Sequence, residues 1–173
     1  MEFKFETAYN QDALTTMAKA LRKTIRRKRS RRSHFFGTIV ILLALLLTLP
    51  FGNEVYVLTA KKVLTWIVAA IILLTLIFED RLNGVIAKKR MLPGLEKAIV
   101  TFKEEGYHSV TEIGSSDFTY STIQMLVETT DYFVFIFSQN HAQIYSKSSL
   151  TGGTADEFRT FIQKATDKTI QKL

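Results

Sequence analysis

FFGTIVILLALLLTLPF, residues 35–51, and VLTWIVAAIILLTLIF, residues 63–78, each lack a charged residue. Wound as an α-helix, the first run rises about 25 Å, near the thickness of a bilayer's hydrocarbon core. The second matches it and can be lengthened upstream through Val55, Tyr56, Val57 and Leu58 if Lys61 and Lys62 snorkel outward. Tyr56 and Trp66 are read either as interfacial anchors or as ordinary packing residues. The pair reads as a membrane hairpin: helix 35–51, outer loop 52–62, helix 63–78. More than 30 residues precede the first run, and no small-residue cleavage site follows Leu49-Pro50-Phe51, so the run reads as a retained anchor rather than a cleaved signal.

Flanking charge orients the hairpin. Lys19, Arg22, Lys23, Arg26, Arg27, Lys28, Arg29, Arg31 and Arg32 precede the first run without an intervening acid. Arg81, Lys88, Lys89 and Arg90 follow the second, while Lys61 and Lys62 alone lie in the loop. The positive-inside rule then places both termini in the cytoplasm of a bacterial cell membrane. The net charge of +7 is concentrated in the arm before the first run, where topology and anionic lipid account for it without nucleic acid. The absence of cysteine leaves no disulfide framework and suits a reducing compartment.

Away from the hairpin there is material for one small domain. Glu2–Thr7 alternates, with Phe3 and Phe5 on one face, and predicts a strand that must join a sheet built later in the chain. The strand segment is residues 1–9, and a basic amphipathic approach follows over 10–34. Asn10 caps its helix, and Leu14, Met17, Ala18, Leu21 and Ile25 share one face. Such a helix lies against headgroups, continues into the first crossing, or docks on anionic lipid or an acidic partner. A charged linker helix occupies 79–94, ending at Leu92-Pro93-Gly94, with its charges on a solvated face.

Residues 95–173 read as a meander closed by a helix. Ala98–Phe102 is a strand or a helix continuing from Leu95. Strands are expected at Tyr107–Ile113, Phe118–Tyr120, Ile123–Glu128, Tyr132–Phe137 and Ala142–Lys147, with a turn at Gly114–Asp117. YFVFIF is uniformly apolar, so it reads as a central strand covered on both sides, one cover being the last helix. Thr154 and Glu157 form a capping box, and Phe158, Phe161, Ile162, Ala165 and Thr169 form its apolar stripe. The expected fold is α+β: a two-helix transmembrane hairpin inserted into one strongly bent antiparallel sheet closed by the C-terminal helix.

Tyr120-Ser121-Thr122-Ile123, Glu128-Thr129-Thr130-Asp131-Tyr132-Phe133, Ala142-Gln143-Ile144-Tyr145-Ser146-Lys147 and Glu157-Phe158-Arg159, together with the order of elements, resemble the YcxB-like proteins of bacteria. In that family a strand tends to end in Ile-Pro-Lys, where this chain has Tyr145-Ser146-Lys147. The resemblance implies a membrane protein with a pleckstrin-homology-like cytoplasmic domain and no established activity; some relatives look like immunity proteins encoded beside bacteriocins.

No catalytic constellation emerges. His34, His108 and His141 lack metal-helix spacing, and the adjacent acids Glu79-Asp80 and Glu104-Glu105 point apart. Gly152-Gly153-Thr154 lacks both phosphate-loop spacings and reads as a loop and cap. Tyr132, Phe133, Phe135 and Phe137 lack the interleaved cations of a base-stacking platform and read as core. The expectation is therefore a non-enzymatic protein without cofactor, metal or small-molecule substrate. Its partners are the bilayer and a membrane protein or a second copy of itself, and bacteriocin self-immunity is the alternative reading. The contact residues nominated for lipid or partner are Arg22, Lys23, Arg26, Arg27, Lys28, Arg29, Arg31, Arg32 and Lys147.

Overall fold

Alternation at the N-terminus becomes strand β1, Phe3–Ala8, which buries Phe3, Phe5 and Thr7 and exposes the residues between them. The computed structural model describes residues 2–50 and 57–173. The outer end of the first apolar run at Phe51, and Val55 and Tyr56 of the loop, lie outside the described residues.

Helix α1, Gln11–Lys23, opens on Asn10, whose side chain accepts from the Ala13 amide at 2.8 Å. The chain breaks at 24–26 and resumes as α2, Arg27–Leu46. Helix α3, Ala60–Ile77, and helix α4, Glu79–Arg90, follow. The basic stretch 27–32 and the first apolar run thus share one helix, and the bend precedes the cations rather than separating them from the run.

Among the described residues, eight strands form two four-stranded sheets, not one bent sheet. The first sheet orders β1, β2 (Lys97–Phe102), β3 (Tyr107–Thr111) and β4 (Gly114–Phe118), all antiparallel. The second orders β7 (His141–Ser146), β6 (Tyr132–Ser138), β5 (Met125–Glu128) and β8 (Ile170–Lys172). Ala98–Phe102 is strand, and β1 pairs with it across the whole helical insertion. The expected turn at Gly114–Asp117 is instead strand β4, with the reversal at Glu112-Ile113. Its serines and aspartate lie at the sheet edge, where a polar strand meets water and costs little.

The final helix, α5 (Ala155–Thr166), has the expected capping box but stops before Thr169. Asp167 adopts a left-handed conformation, φ 52°, and the chain turns into β8, which pairs parallel to β5. The sequence gives three residues too little pattern to distinguish this strand from the end of a helix.

Strand β6 explains its own lack of alternation. Phe133 and Phe135 point between the sheets, where they join Phe3, Phe5, Phe102, Tyr145 and Phe158. Val134 and Ile136 point the other way and pack with Ala13, Ala20 and Leu21 of α1. The last helix covers one face, as expected, and α1 covers the other. The apolar face of α1 is therefore spent on the second sheet instead of on headgroups.

Close approach at two places requires glycine. A Cβ on Gly84 would lie 2.7 Å from the Thr15 hydroxyl and 2.9 Å from the Thr15 amide, so α4 packs directly on α1. Gly84→Leu should force the pair apart and destabilise the unit by about 1–3 kcal/mol, read as a lowered unfolding midpoint in detergent. Gly152 has φ +89°, and a Cβ there would lie 2.2 Å from the Glu2 carbonyl oxygen. There the loop crosses β1, and Lys4 and Thr151 exchange backbone hydrogen bonds of 2.9 Å. The Gly-Gly pair is thus needed by the donated N-terminal strand.

Candidate functional site

Helices α2 and α3 pack against each other in antiparallel fashion. A Cβ on Gly37 would lie 2.8 Å from a Leu76 methyl, and one turn earlier in α2 His34 Nε2 lies 2.7 Å from Glu79 Oε2. Ser30 donates to the same Glu79 oxygen at 2.9 Å. Arg22 of α1 grips Asp80 with two bonds, Nε to Oδ1 at 2.6 Å and Nη2 to Oδ2 at 2.7 Å. The Asp80 hydrogen bond raises the guanidinium pKa above its ordinary value. Glu79 and Asp80, expected on a solvated face, therefore clasp α1 and α2 where the first apolar run begins and the second ends.

From this clasp outward, the two apolar runs present their side chains to the surroundings. Phe35 is 62% exposed, Leu47 77%, Ile71 57% and Ile77 63%. Among the described residues, α3 alone is long and apolar enough as a helix to cross a membrane. Helix α2 spends its first turns on cations, and its apolar part ends at Leu46, beyond which Leu47–Leu49 are turn.

Helical phase divides the nominated cations. Arg27, Ser30, Arg31 and His34 fall at spacings of three and four and so form one stripe. With Arg22 and Lys23 of α1 they line a groove of about 510 Å³, closed on one side by the end of β8. Lys28, Arg29 and Arg32 are exposed on the other side of α2. Arg26 turns back to the sheet, donating from Nε to the Gln139 carbonyl at 2.5 Å and from Nη2 to Asn140 Oδ1 at 3.2 Å. Burial chiefly, and Arg29 second, lower its pKa. The first turn of α2 holds no acid and Arg26 makes no side-chain cap, so cations crowd the positive end of a helix dipole.

Lys147 does not present a free ammonium. Its Nζ donates to Glu128 Oε1 at 2.6 Å and to the Thr129 carbonyl at 2.7 Å, and lies 5.1 Å from the centre of the Phe133 ring. Arg159 forks onto the same carboxylate at 2.7 Å from both Nε and Nη2, and also bonds Asp156. Arg159, opposed by burial and helped by Lys147, holds the Glu128 carboxyl down at about 2. A charge triad tying β5, α5 and the end of β7 engages this lysine, which the sequence set at a strand end, either solvated or nominated for a partner or headgroup.

Ser146 stands where the resembling family tends to have proline. Its φ of −75° would suit proline. The Ser146 amide donates to Thr7 Oγ1 at 3.3 Å, a bond that proline could not make.

The other candidates are dispersed. His108 Nδ1 faces Asp117 Oδ1 at 2.7 Å as a cross-strand pair between β3 and β4, with Asp117 largely exposed. His141 packs on Phe137 with ring centroids 5.0 Å apart. Among the described residues, no group of three histidine or acidic side chains is placed to hold a metal ion. Sequence reading missed Gln143, whose Oε1 accepts from Tyr107 at 3.0 Å and Tyr145 at 2.5 Å inside the core. No periodic signal could have announced it.

No curated protein matches the chain. The family model described as YcxB-like protein matches residues 102–162, from the end of β2 into α5. The family resemblance carried by Tyr120–Ile123, Glu128–Phe133, Ala142–Lys147 and Glu157–Arg159 is therefore shown over the stretch that holds them, as a match to the YcxB-like proteins.

Proposed function

We propose that α2 and α3 form a two-helix hairpin through the bacterial cell membrane. The two-sheet unit, pleckstrin-homology-like in this reading, hangs beneath it with both termini in the cytoplasm. There it acts without catalysis, binding or regulating a membrane partner or anionic lipid. The observation that carries this reading is the exposure of large apolar side chains around both helices. Monomeric soluble proteins rarely leave contiguous apolar patches above a few hundred Å² in water, and a bilayer removes that penalty. The sharp change at Phe35 from cations to apolar residues supports the same boundary.

Because the chain contains no cysteine, single introduced thiols report topology cleanly. Leu58→Cys should react with an impermeant maleimide in intact cells, and Ser116→Cys on β4 only after the cells are opened. Labelling of Ser116→Cys in intact cells would reverse the orientation, and recovery of the chain in the carbonate-soluble fraction would end the membrane reading.

A further inference from the structure

The cationic groove adjoins a second cleft at two shared residues. That cleft, of about 390 Å³, shares Arg22 and His34 with the groove, is lined at that junction also by Glu79 and Asp80, and runs on between α2 and α3 past Thr38, Leu73 and Leu76. One end offers cations, and the other offers the side chains of two helices that the proposed function places in hydrocarbon. The shape is that of an amphiphile with an anionic head.

We propose that groove and cleft together are a discrete binding site for one anionic phospholipid. The headgroup phosphate sits among Lys23, Arg27 and Arg31, and an acyl chain lies along Thr38, Leu73 and Leu76. The proposal rests on the membrane reading above and names the ligand of its inner-leaflet end. Arg22 is already neutralised by Asp80, and Glu79 is occupied by Ser30 and His34. Lys23, Arg27 and Arg31 face the groove with no acidic partner among the described residues. Depth agrees with a headgroup: Arg31 is four residues before Phe35 and so about 6 Å from the apolar boundary, within a headgroup layer of about 5–7 Å. Arg27 lies one turn further from the membrane, its backbone about 12 Å from the boundary and beyond that layer, so its guanidinium meets the phosphate by extending its long side chain back along the groove.

Bulk attraction to an anionic leaflet depends on total charge, whereas a site depends on which side of α2 the charge occupies. The test therefore compares two double variants of equal charge. R27Q/R31Q removes groove cations, and K28Q/R29Q removes cations from the opposite side. Each full chain is purified in a neutral detergent and titrated with phosphatidylglycerol, phosphatidylcholine or inorganic phosphate under native mass spectrometry. The unaltered chain should hold one phosphatidylglycerol in preference to phosphatidylcholine. R27Q/R31Q should weaken that binding about thirtyfold, since it removes two charge-assisted contacts to the phosphate, and K28Q/R29Q, which touches no groove residue, should leave it within about twofold.

Equal losses in both variants, or no preference for phosphatidylglycerol, would overturn the site in favour of bulk attraction. Binding of inorganic phosphate as tight as that of the lipid, and lost in R27Q/R31Q, would overturn the lipid in favour of a soluble anion. If R27Q/R31Q proves poorly folded, Leu73→Trp, at a cleft-lining residue 47% exposed, fills the apolar cleft without touching charge and should also displace the lipid; retention there would count against the proposal. Membrane extraction of the same preparations separates the two readings: a carbonate-resistant chain with no discrete lipid refutes only the site.

Discussion

Phe5→Ala is expected to lower the unfolding midpoint in detergent by about 10 °C, from a cost of about 3–5 kcal/mol for an emptied aromatic site. Phe5 is fully buried, and its ring meets Phe102, Phe133, Tyr145 and Phe158 at centroid distances of 5.7, 6.3, 5.6 and 4.7 Å. Those partners come from both sheets and from the last helix, so one side chain joins elements that the helical insertion keeps far apart in sequence. Phe5→Leu, closer in volume, should cost less than about 1.5 kcal/mol. A midpoint unchanged by Phe5→Ala would mean that the N-terminal strand is dispensable and that the split domain is an incorrect reading.

Glu128→Gln should cost about 3–5 kcal/mol, because removing the acid from a buried charge cluster strands its partners. Glu128 is 4% exposed and serves both Lys147 and Arg159. The folded carboxyl titrates at about 2 against an ordinary 4.5. Its stabilising contribution, about 3 kcal/mol from a shift of that size, is therefore complete above pH 4.5. It is lost as the pH falls from there toward 2. Unfolding midpoints measured across that window should decline steeply for the unaltered chain and less steeply for Glu128→Gln. Parallel declines would remove Glu128 as the source of the acid sensitivity.

Much of the candidate site was legible before any coordinates. The cations from Arg22 to Arg32 stand out as a run, and the change at Phe35 marks where they stop. Their division was also available in principle, since Arg27, Ser30, Arg31 and His34 obey helical spacing once the helix is known to begin at Arg27. What hid it was the break at 24–26, which resets the phase between α1 and α2 and has neither proline nor glycine to announce it. The ion pair of Lys147 was hidden for a different reason. A lysine at a strand end reads the same whether it meets water or a buried glutamate, and only the packing of β5 beside α5 supplies the glutamate.

By itself the sequence determined the elements whose signals are local: two apolar runs, the Asn10 cap, the Thr154–Glu157 box, the alternation of β1 and the doubly covered strand YFVFIF. Each is a pattern written within a few turns or one strand, where propensity and periodicity act. Tertiary structure alone decided that the sheets are two, that α1 covers the second of them, that β8 closes its edge beside β5, and that groove and cleft meet at Arg22 and His34. Those outcomes depend on pairings such as Phe5 with Val100 and Thr7 with Ser146. Such contacts are selected by burial and hydrogen bonding between distant segments, which no window along the chain contains.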